Sequence, residues 1–415
     1  MRDILLGRKP KDYDVATDAR PDRVAELFSK SEHVGAHFGV VLVRSNESEV
    51  EVATFRSDQS YSDGRRPDWV HFETDARQDV LRRDFTINAL LLDPETNEVL
   101  DFVGGRDDLR RKIIRAIGDP RVRFSEDHLR MLRAVRFAAR LGFTIEPQTL
   151  AAIQELRARI GQVSAERVRD ELISILTEGG ARRGFELLDD SGLLAEILPE
   201  VAAMKGVPQP PEYHPEGDVW THTLLMLEGL ENPSITLALG ALLHDVGKPP
   251  TFRVADRIRF DGHVEEGVAV ARRILLRLRF SNEQIEQVIA LVANHMRFKD
   301  VDRMRDSTLK RFLRLEHFNE HLELHRLDCL ASHRQLGNYE LAVRKLRELS
   351  QEQLRPAPLL TGDDLIATGY QPGPGFKAML TAVEDAQLEG SIRSREEALE
   401  LVRERFGSPE HYAGR

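Results

Sequence analysis

The chain has 415 residues, enough at roughly 100 to 200 residues per domain for several domains and a sizeable core, so it is not a small stapled scaffold. Its residues are 41% hydrophobic and 31% charged; no apolar run approaches the roughly 18 residues of a membrane helix and no apolar leader opens the chain, which predicts a cytoplasmic protein without membrane contact. Fifty-nine Lys plus Arg against 69 Asp plus Glu give a formal charge of −10, so any polyanion site must be local, and the single cysteine, Cys329, excludes a disulfide framework or a thiolate zinc cage.

The first hundred residues read as mixed α+β. Val40-Val41-Leu42-Val43 is a short buried-strand candidate, Glu49-Val50-Glu51-Val52 alternates with period two, and Ala89-Leu90-Leu91-Leu92 before Asp93-Pro94 reads as a strand ending in a turn. From about Asp107 onward apolar residues recur every three or four positions between short Gly/Pro/Asp breaks, which predicts an almost wholly helical remainder. The Pro-rich stretch from Pro208 to Pro215 reads as a linker, and Arg355-Pro356-Ala357-Pro358 marks a second break.

Three patterns along the chain suggest chemistry. In Asp12-Tyr13-Asp14 the carboxylates are one residue apart, so on a strand both point to the same face and can bridge hard cations for phosphoryl or nucleotidyl transfer. Glu51 is the candidate third acid on a neighbouring strand. Arg82-Arg83-Asp84-Phe85-Thr86-Ile87-Asn88 packs cations and an amide against an apolar strand beginning; arginine forks suit triphosphate oxygens and Asn suits a ribose or base edge. On a helix, Arg130, Arg133, Arg136 and Arg140 form one basic stripe, with Leu129, Leu132 and Val135 facing elsewhere.

The runs LLGRKPKDYDVATDA, VEVATFRSD, RRPDWVHF, RRDFTINAL and DPRVRFSEDHLRMLRAVRFAARLGF, in that order, resemble the bacterial class II tRNA nucleotidyltransferases: the CCA-adding enzymes and their relatives the bacterial poly(A) polymerases. The resemblance implies that Asp12 and Asp14 hold magnesium with Glu51 as third acid, and that Arg2, Arg82, Arg83, Asp84, Asn88 and Arg133 meet the nucleotide. It also implies that Glu126-Asp127 with Arg130 forms an amino-acid template. There the Asp127 carboxylate accepts and the Arg130 guanidinium donates, imitating a Watson-Crick edge that takes cytosine and adenine. One departure concerns the start: the family's glycine pair would lie just before Met1-Arg2-Asp3, and because its amides serve the triphosphate, the start is expected to be misassigned.

A second constellation follows: His222, the adjacent His244-Asp245, His263, His295 and Asp328. Imidazole nitrogen and carboxylate oxygen together suit borderline divalent metals. The pattern resembles the HD phosphohydrolases, which implies one metal on His222, His244, Asp245 and Asp328, a second reached by His263 and His295, and Lys248 where a cation meets phosphate. Stretches such as Leu359-Leu360-Thr361-Gly362-Asp363-Asp364 resemble the C-terminal part of HD-bearing bacterial nucleotidyltransferases.

Together these readings predict an α+β polymerase beta-like nucleotidyltransferase head (1–118), a helical nucleotide-reading and RNA-binding neck (119–205), an HD domain (206–350) and a helical tail (351–415). The expected activity is transfer of CMP and AMP from CTP and ATP to the tRNA 3′ end, with magnesium at the head and a divalent transition metal at the HD site. The alternatives are a poly(A) polymerase or an enzyme adding only CC or only A, and an HD phosphohydrolase with a non-catalytic head.

Overall fold

The computed structural model describes residues 1–10, 12–33, 39–44, 49–59 and 69–410, so Arg65-Arg66-Pro67-Asp68 of the motifs above lie outside the described residues. The chain forms two compact units. The first comprises Met1–Val207, Asp218–Ala238 and Arg272–Ser281; the second comprises Pro208–Gly217, Leu239–Ala271 and Asn282–Arg415. The expected head and neck therefore share one unit, and the stretch expected as one HD domain contributes to both.

In the first unit, β1 (Val15–Thr17), β2 (Ser31–His33), β3 (Val40–Arg44) and β4 (Glu49–Thr54) form a sheet in the order β1-β4-β3-β2, with β1 parallel to β4 and the other pairs antiparallel. Alternation decides its two faces: Val50 and Val52 of β4 join Val41 and Val43 of β3 against Val24 of the helix Pro21–Leu27, so Glu49 and Glu51 face the other way. Of the expected buried run 40–43 only Val41 is fully buried, because this sheet covers a core on one face. The expected strand at Ala89–Leu92 shortens to Leu91–Leu92, paired with Val99–Leu100, since Thr86–Asn88 forms a 3-10 turn that carries Ala89 and Leu90 into the core.

Helices follow, as the periodicity predicts. The helix Arg130–Leu141 buries Met131, Leu132, Ala134, Val135, Phe137 and Ala138, and each large apolar side chain so buried stabilises by roughly 1.5–3 kcal/mol. The helix stops at Gly142, whose φ of +68° suits glycine. Gly180 permits close packing at the same helix, since a Cβ there would lie 2.5 Å from the Ala139 carbonyl oxygen.

In the second unit the expected linker is not a free tether. The Tyr213 and His214 amides both donate to the Pro210 carbonyl, closing a turn, and Gln209 is buried. Proline punctuation here marks a packed turn, because the backbone bonds are satisfied locally. Phe298, Phe312 and Phe318 centre one core, and Leu365, Tyr370, Met379, Val383 and Val402 centre another among the tail helices Gly362–Ala367, Gly375–Glu389 and Arg395–Phe406. Capping boxes at Thr361 and Ser394 start two of these helices. Arg311 joins Glu384 (2.5 Å) and Asp385 (2.6 Å), tying the tail to the helix Asp306–Leu313. No helix among the described residues is long and apolar enough to cross a membrane.

Candidate active and metal sites

Asp12 and Asp14 are not on a strand: both precede β1 and are exposed, because the parallel pairing with β4 begins only at Val15 opposite Val52. Extending that register by one residue sets Asp14 opposite Glu51 in the pairing, but Asp12, Asp14 and Glu51 do not bring three carboxylate oxygens within 4.8 Å of one another among the described residues. The Asp14 carboxyl is pushed up, first by partial desolvation although it is largely exposed, then by Asp12; Arg83 opposes this. The Asp12 charge opposes ionisation of Asp14, and a hard divalent cation held by the pair would relieve that repulsion.

The double arginine is organised by Asp79, a residue whose role the motif reading missed. Asp79 lies on the helix Ala76–Leu81, three and four positions before Arg82 and Arg83, and is 1% exposed. Arg82 donates from Nε and Nη2 to Asp79 Oδ1 at 3.0 and 2.6 Å; Arg83 donates likewise to Oδ2 at 3.2 and 2.9 Å. Burial would raise the Asp79 carboxyl, yet the two guanidiniums hold it below the usual range. The i, i+3 and i, i+4 spacing was the available signal.

Asp84 is buried and fully engaged: Oδ1 accepts from the Phe85 amide (2.8 Å) and Asn88 Nδ2 (3.0 Å), and Oδ2 from Arg133 Nε (2.8 Å) and Nη2 (2.7 Å). Asn88 Oδ1 accepts from Arg2 Nη1 at 2.6 Å, and the Arg2 guanidinium lies 4.8 Å from the centre of the Phe137 ring. The basic stripe is consequently not an open anion face. Arg133 is paired with Asp84; Arg136 meets Glu171 at 2.8 Å; Arg140 meets Glu178 at 3.1 Å. Glu171 and Glu178, on and just after the helix Ala165–Thr177, supply the balancing charge that helical spacing within one segment could not reveal.

Asp127 ends the helix Pro120–Glu126, and Arg130 opens the next. The Arg130 amide donates to the Asp127 carbonyl at 3.1 Å, but the two side chains take other partners. Asp127 Oδ2 accepts from Arg167 Nη2 at 2.7 Å, while Arg130 donates to Glu126 Oε2 (2.5 Å) and to the carbonyls of Arg123 and Arg82 (both 3.1 Å). Arg123 also reaches the carbonyls of Leu81 (2.9 Å) and Arg82 (3.3 Å), so both arginines grip the backbone at the start of the Arg82-Arg83 pair.

In the second unit, Asp245, His263 and His295 place ligand atoms within 4.8 Å of one another. His244, His263 and His295 each point Nδ1 at the carbonyl three residues earlier, at 3.0, 2.9 and 2.7 Å. A carbonyl only accepts, so each Nδ1 carries a proton; burial favours the neutral rings of His263 and His295, whose Nε2 atoms then present lone pairs. The Nε2 atoms of His263 and His295 are buried without a hydrogen-bond partner among the described residues, and His244 Nε2 is 3.1 Å from Asp245 Oδ2. Acceptors converging on a carboxylate suit a divalent transition metal, and the carbonyl bonds fix the rings as such sites require. Burial opposes ionisation of Asp245, but His244, Lys248 and His295 hold its carboxyl well below the usual range; burial first and His244 second push His295 down to about 4.

Lys248 departs from expectation. It is buried, with Nζ on Asp245 Oδ2 (2.7 Å) and on Gln209 Oε1 (2.6 Å), so it balances the aspartate instead of offering an open phosphate contact. Asp328, on the helix Phe318–Ala331, is half-buried and acts on His295 through its charge without joining the three-residue group. His222 is buried on the helix Val219–Glu228 of the first unit.

Comparison with known proteins gives these sites a context. Three family models match: the Poly A polymerase head domain over residues 1–115, a probable RNA and SrmB-binding site of polymerase A over 142–205, and the HD domain over 217–327. The CC-adding tRNA nucleotidyltransferase of Thermus thermophilus is 34% identical over 96% of this chain and 90% of its own. The chain belongs to the tRNA nucleotidyltransferase family. The CCA-adding enzyme of Bacillus pumilus is 42% identical over 48% of this chain and 49% of its own, so the chain matches about half the length of such relatives. The structure of the Bacillus stearothermophilus CCA-adding enzyme in complex with CTP superposes with a TM-score of 0.72 at 27% identity, covering 97% of this chain and 91% of that one. A Thermotoga maritima CCA-adding enzyme complexed with tRNA has a TM-score of 0.58 at 19% identity and shares the fold.

Proposed function

We propose that the chain is a CCA-adding tRNA nucleotidyltransferase, transferring CMP and AMP from CTP and ATP to the tRNA 3′ end with release of pyrophosphate. The observation that carries the reading is the carboxylate pair Asp12 and Asp14 just ahead of β1, in line with the register that continues to Glu51 of β4 and within electrostatic reach of Arg83. Bound by these carboxylates, magnesium would promote ionisation of the terminal ribose hydroxyl and offset triphosphate charge. Arg82 and Arg83 fork onto the triphosphate and hold it in line, and Asp127 with Arg130 presents the base-reading edge. In that role Arg130 turns part of its donor set from Glu126 to the base. Relatives named for CCA addition and the CTP complex support this reading.

The test is product length on tRNA lacking its CCA end. Addition of three nucleotides with both CTP and ATP present supports the proposal; a product that stops after two cytidines transfers the chain to the CC-adding class, to which the Thermus relative's name points.

A second activity rests on Asp245, His263 and His295. The unbonded Nε2 lone pairs of His263 and His295 beside the Asp245 carboxylate favour a transition-metal phosphohydrolase acting on phosphorylated RNA ends. Phosphate release from 2′,3′-cyclic or 2′-phosphorylated ends that requires added divalent metal supports it.

A further inference from the structure

We propose that Asp79 is a positioning residue for nucleotide addition: one buried carboxylate locks two guanidiniums side-on and so fixes where they meet the phosphates. The proposal rests on the nucleotidyl-transfer reading and adds a group to it that touches no substrate. Its basis is geometric. Four N–H donors from two arginines converge on the two oxygens of one side chain that is 1% exposed, at 2.6 to 3.2 Å. A guanidinium held bidentately loses its torsional freedom before ligand arrives, and that ordering is otherwise a cost of binding.

The remaining contacts agree with this assignment. Arg83 Nη1 donates to the Asn88 carbonyl at 3.3 Å, which fixes that fork from the other side. Arg123 and Arg130 hold the carbonyls of Leu81 and Arg82, so the backbone carrying the pair cannot drift either. Asp79 also cancels one of the two positive charges, which lets two guanidiniums stand side by side without ligand. The Arg83 charge is felt at Asp14, so the clamp also fixes one cation near the carboxylate pair.

Asp79→Asn keeps size and polarity and removes the charge, presenting an N–H to one guanidinium. Losing charged hydrogen bonds of this kind changes affinity by roughly 10- to 100-fold. KM for CTP and for ATP should rise by one common factor in that range, and inhibition by inorganic tripolyphosphate should weaken by the same factor. kcat should change less, and KM for tRNA should stay put. A merely structural role would lower the active fraction with nucleotide KM and tripolyphosphate inhibition unchanged, and that result overturns the proposal. Calorimetric titration of tripolyphosphate into wild type and variant decides the point even if wild type adds no nucleotide, an outcome that would count against the nucleotidyl-transfer reading alone. If Asp79→Asn does not fold, Asp79→Glu, which keeps the charge but shifts both forks, should weaken tripolyphosphate in the same direction; unchanged binding there also overturns the clamp.

Discussion

Asp127 and Arg130 are each tied to protein partners, and yet they are the groups proposed to read the base. Arg167 orients the first, and Glu126 with two carbonyls orients the second. Removing either should damage base choice more than nucleotide affinity, since a discriminating charged contact contributes about 1 to 3 kcal/mol. For Asp127→Ala and Arg130→Ala, incorporation of the four nucleotides on tRNA lacking CCA should show at least a tenfold fall in preference for CTP and ATP over the others; an unchanged preference removes the template assignment. A different residue governs acid stability. His321 is 1% exposed, stacks on Phe318 and has neither ring nitrogen bonded among the described residues, and burial pushes it down to about 4. The neutral ring is therefore favoured in the folded state, so its contribution is complete above the free value near 6.5 and is lost as pH falls through about 4. The loss is on the order of 3 kcal/mol by linkage. His321→Phe should flatten the dependence of the thermal midpoint on pH between 6.5 and 4, and an unaltered slope would show that other groups control it.

At the level of elements, the hydrophobic patterns legible in the sequence were those with a strict period. The β4 alternation and the apolar face of Arg130–Leu141 both follow from one segment's own spacing. What escaped depends on partners far along the chain. The arginine stripe is a real helical feature, but Glu171 and Glu178 turn it into a half-buried ion-pair ladder, and Lys248 is drawn inward by Asp245 and Gln209. Asp12 and Asp14 carry the spacing of a strand pair, while β1 starts one residue later because pairing with β4 does. Packing also explains a glycine that no motif needs by itself. A Cβ on Gly247 would lie 2.1 Å from the His263 carbonyl oxygen and 2.4 Å from the Gly267 amide, so only glycine lets the turn after Asp245 touch the helix His263–Arg277. Gly247→Ala should displace His263 from Asp245 and His295. The expected outcome is a drop in bound transition metal by metal analysis with nucleotide addition retained; full metal occupancy would mean that the contact does not set the ligand geometry.

For the whole molecule, the two chemistries draw on different residues in ways that can be separated. The carboxylates Asp12, Asp14 and Glu51 belong to the first unit, whereas Asp245, His263 and His295 belong to the second. The donor sets differ in kind as well. Oxygen ligands select magnesium, and imidazole with carboxylate selects a transition metal, so the ions themselves should be separable by chelation and add-back. Asp12→Ala with Asp14→Ala should abolish CMP incorporation at saturating magnesium while leaving transition-metal content unchanged. His244→Ala with Asp245→Ala should do the reverse. It removes a buried carboxylate that Lys248 balances, so Lys248 must be watched: an unpaired buried cation destabilises by roughly 3–5 kcal/mol. A lower thermal midpoint is therefore expected for that variant, and adding Lys248→Met should recover part of it without restoring metal. The decisive measurement is the pair of activities in each variant. Loss of nucleotide addition in both, at a temperature where both are folded, would tie the two sites into one mechanism and defeat the separation argued from their ligands.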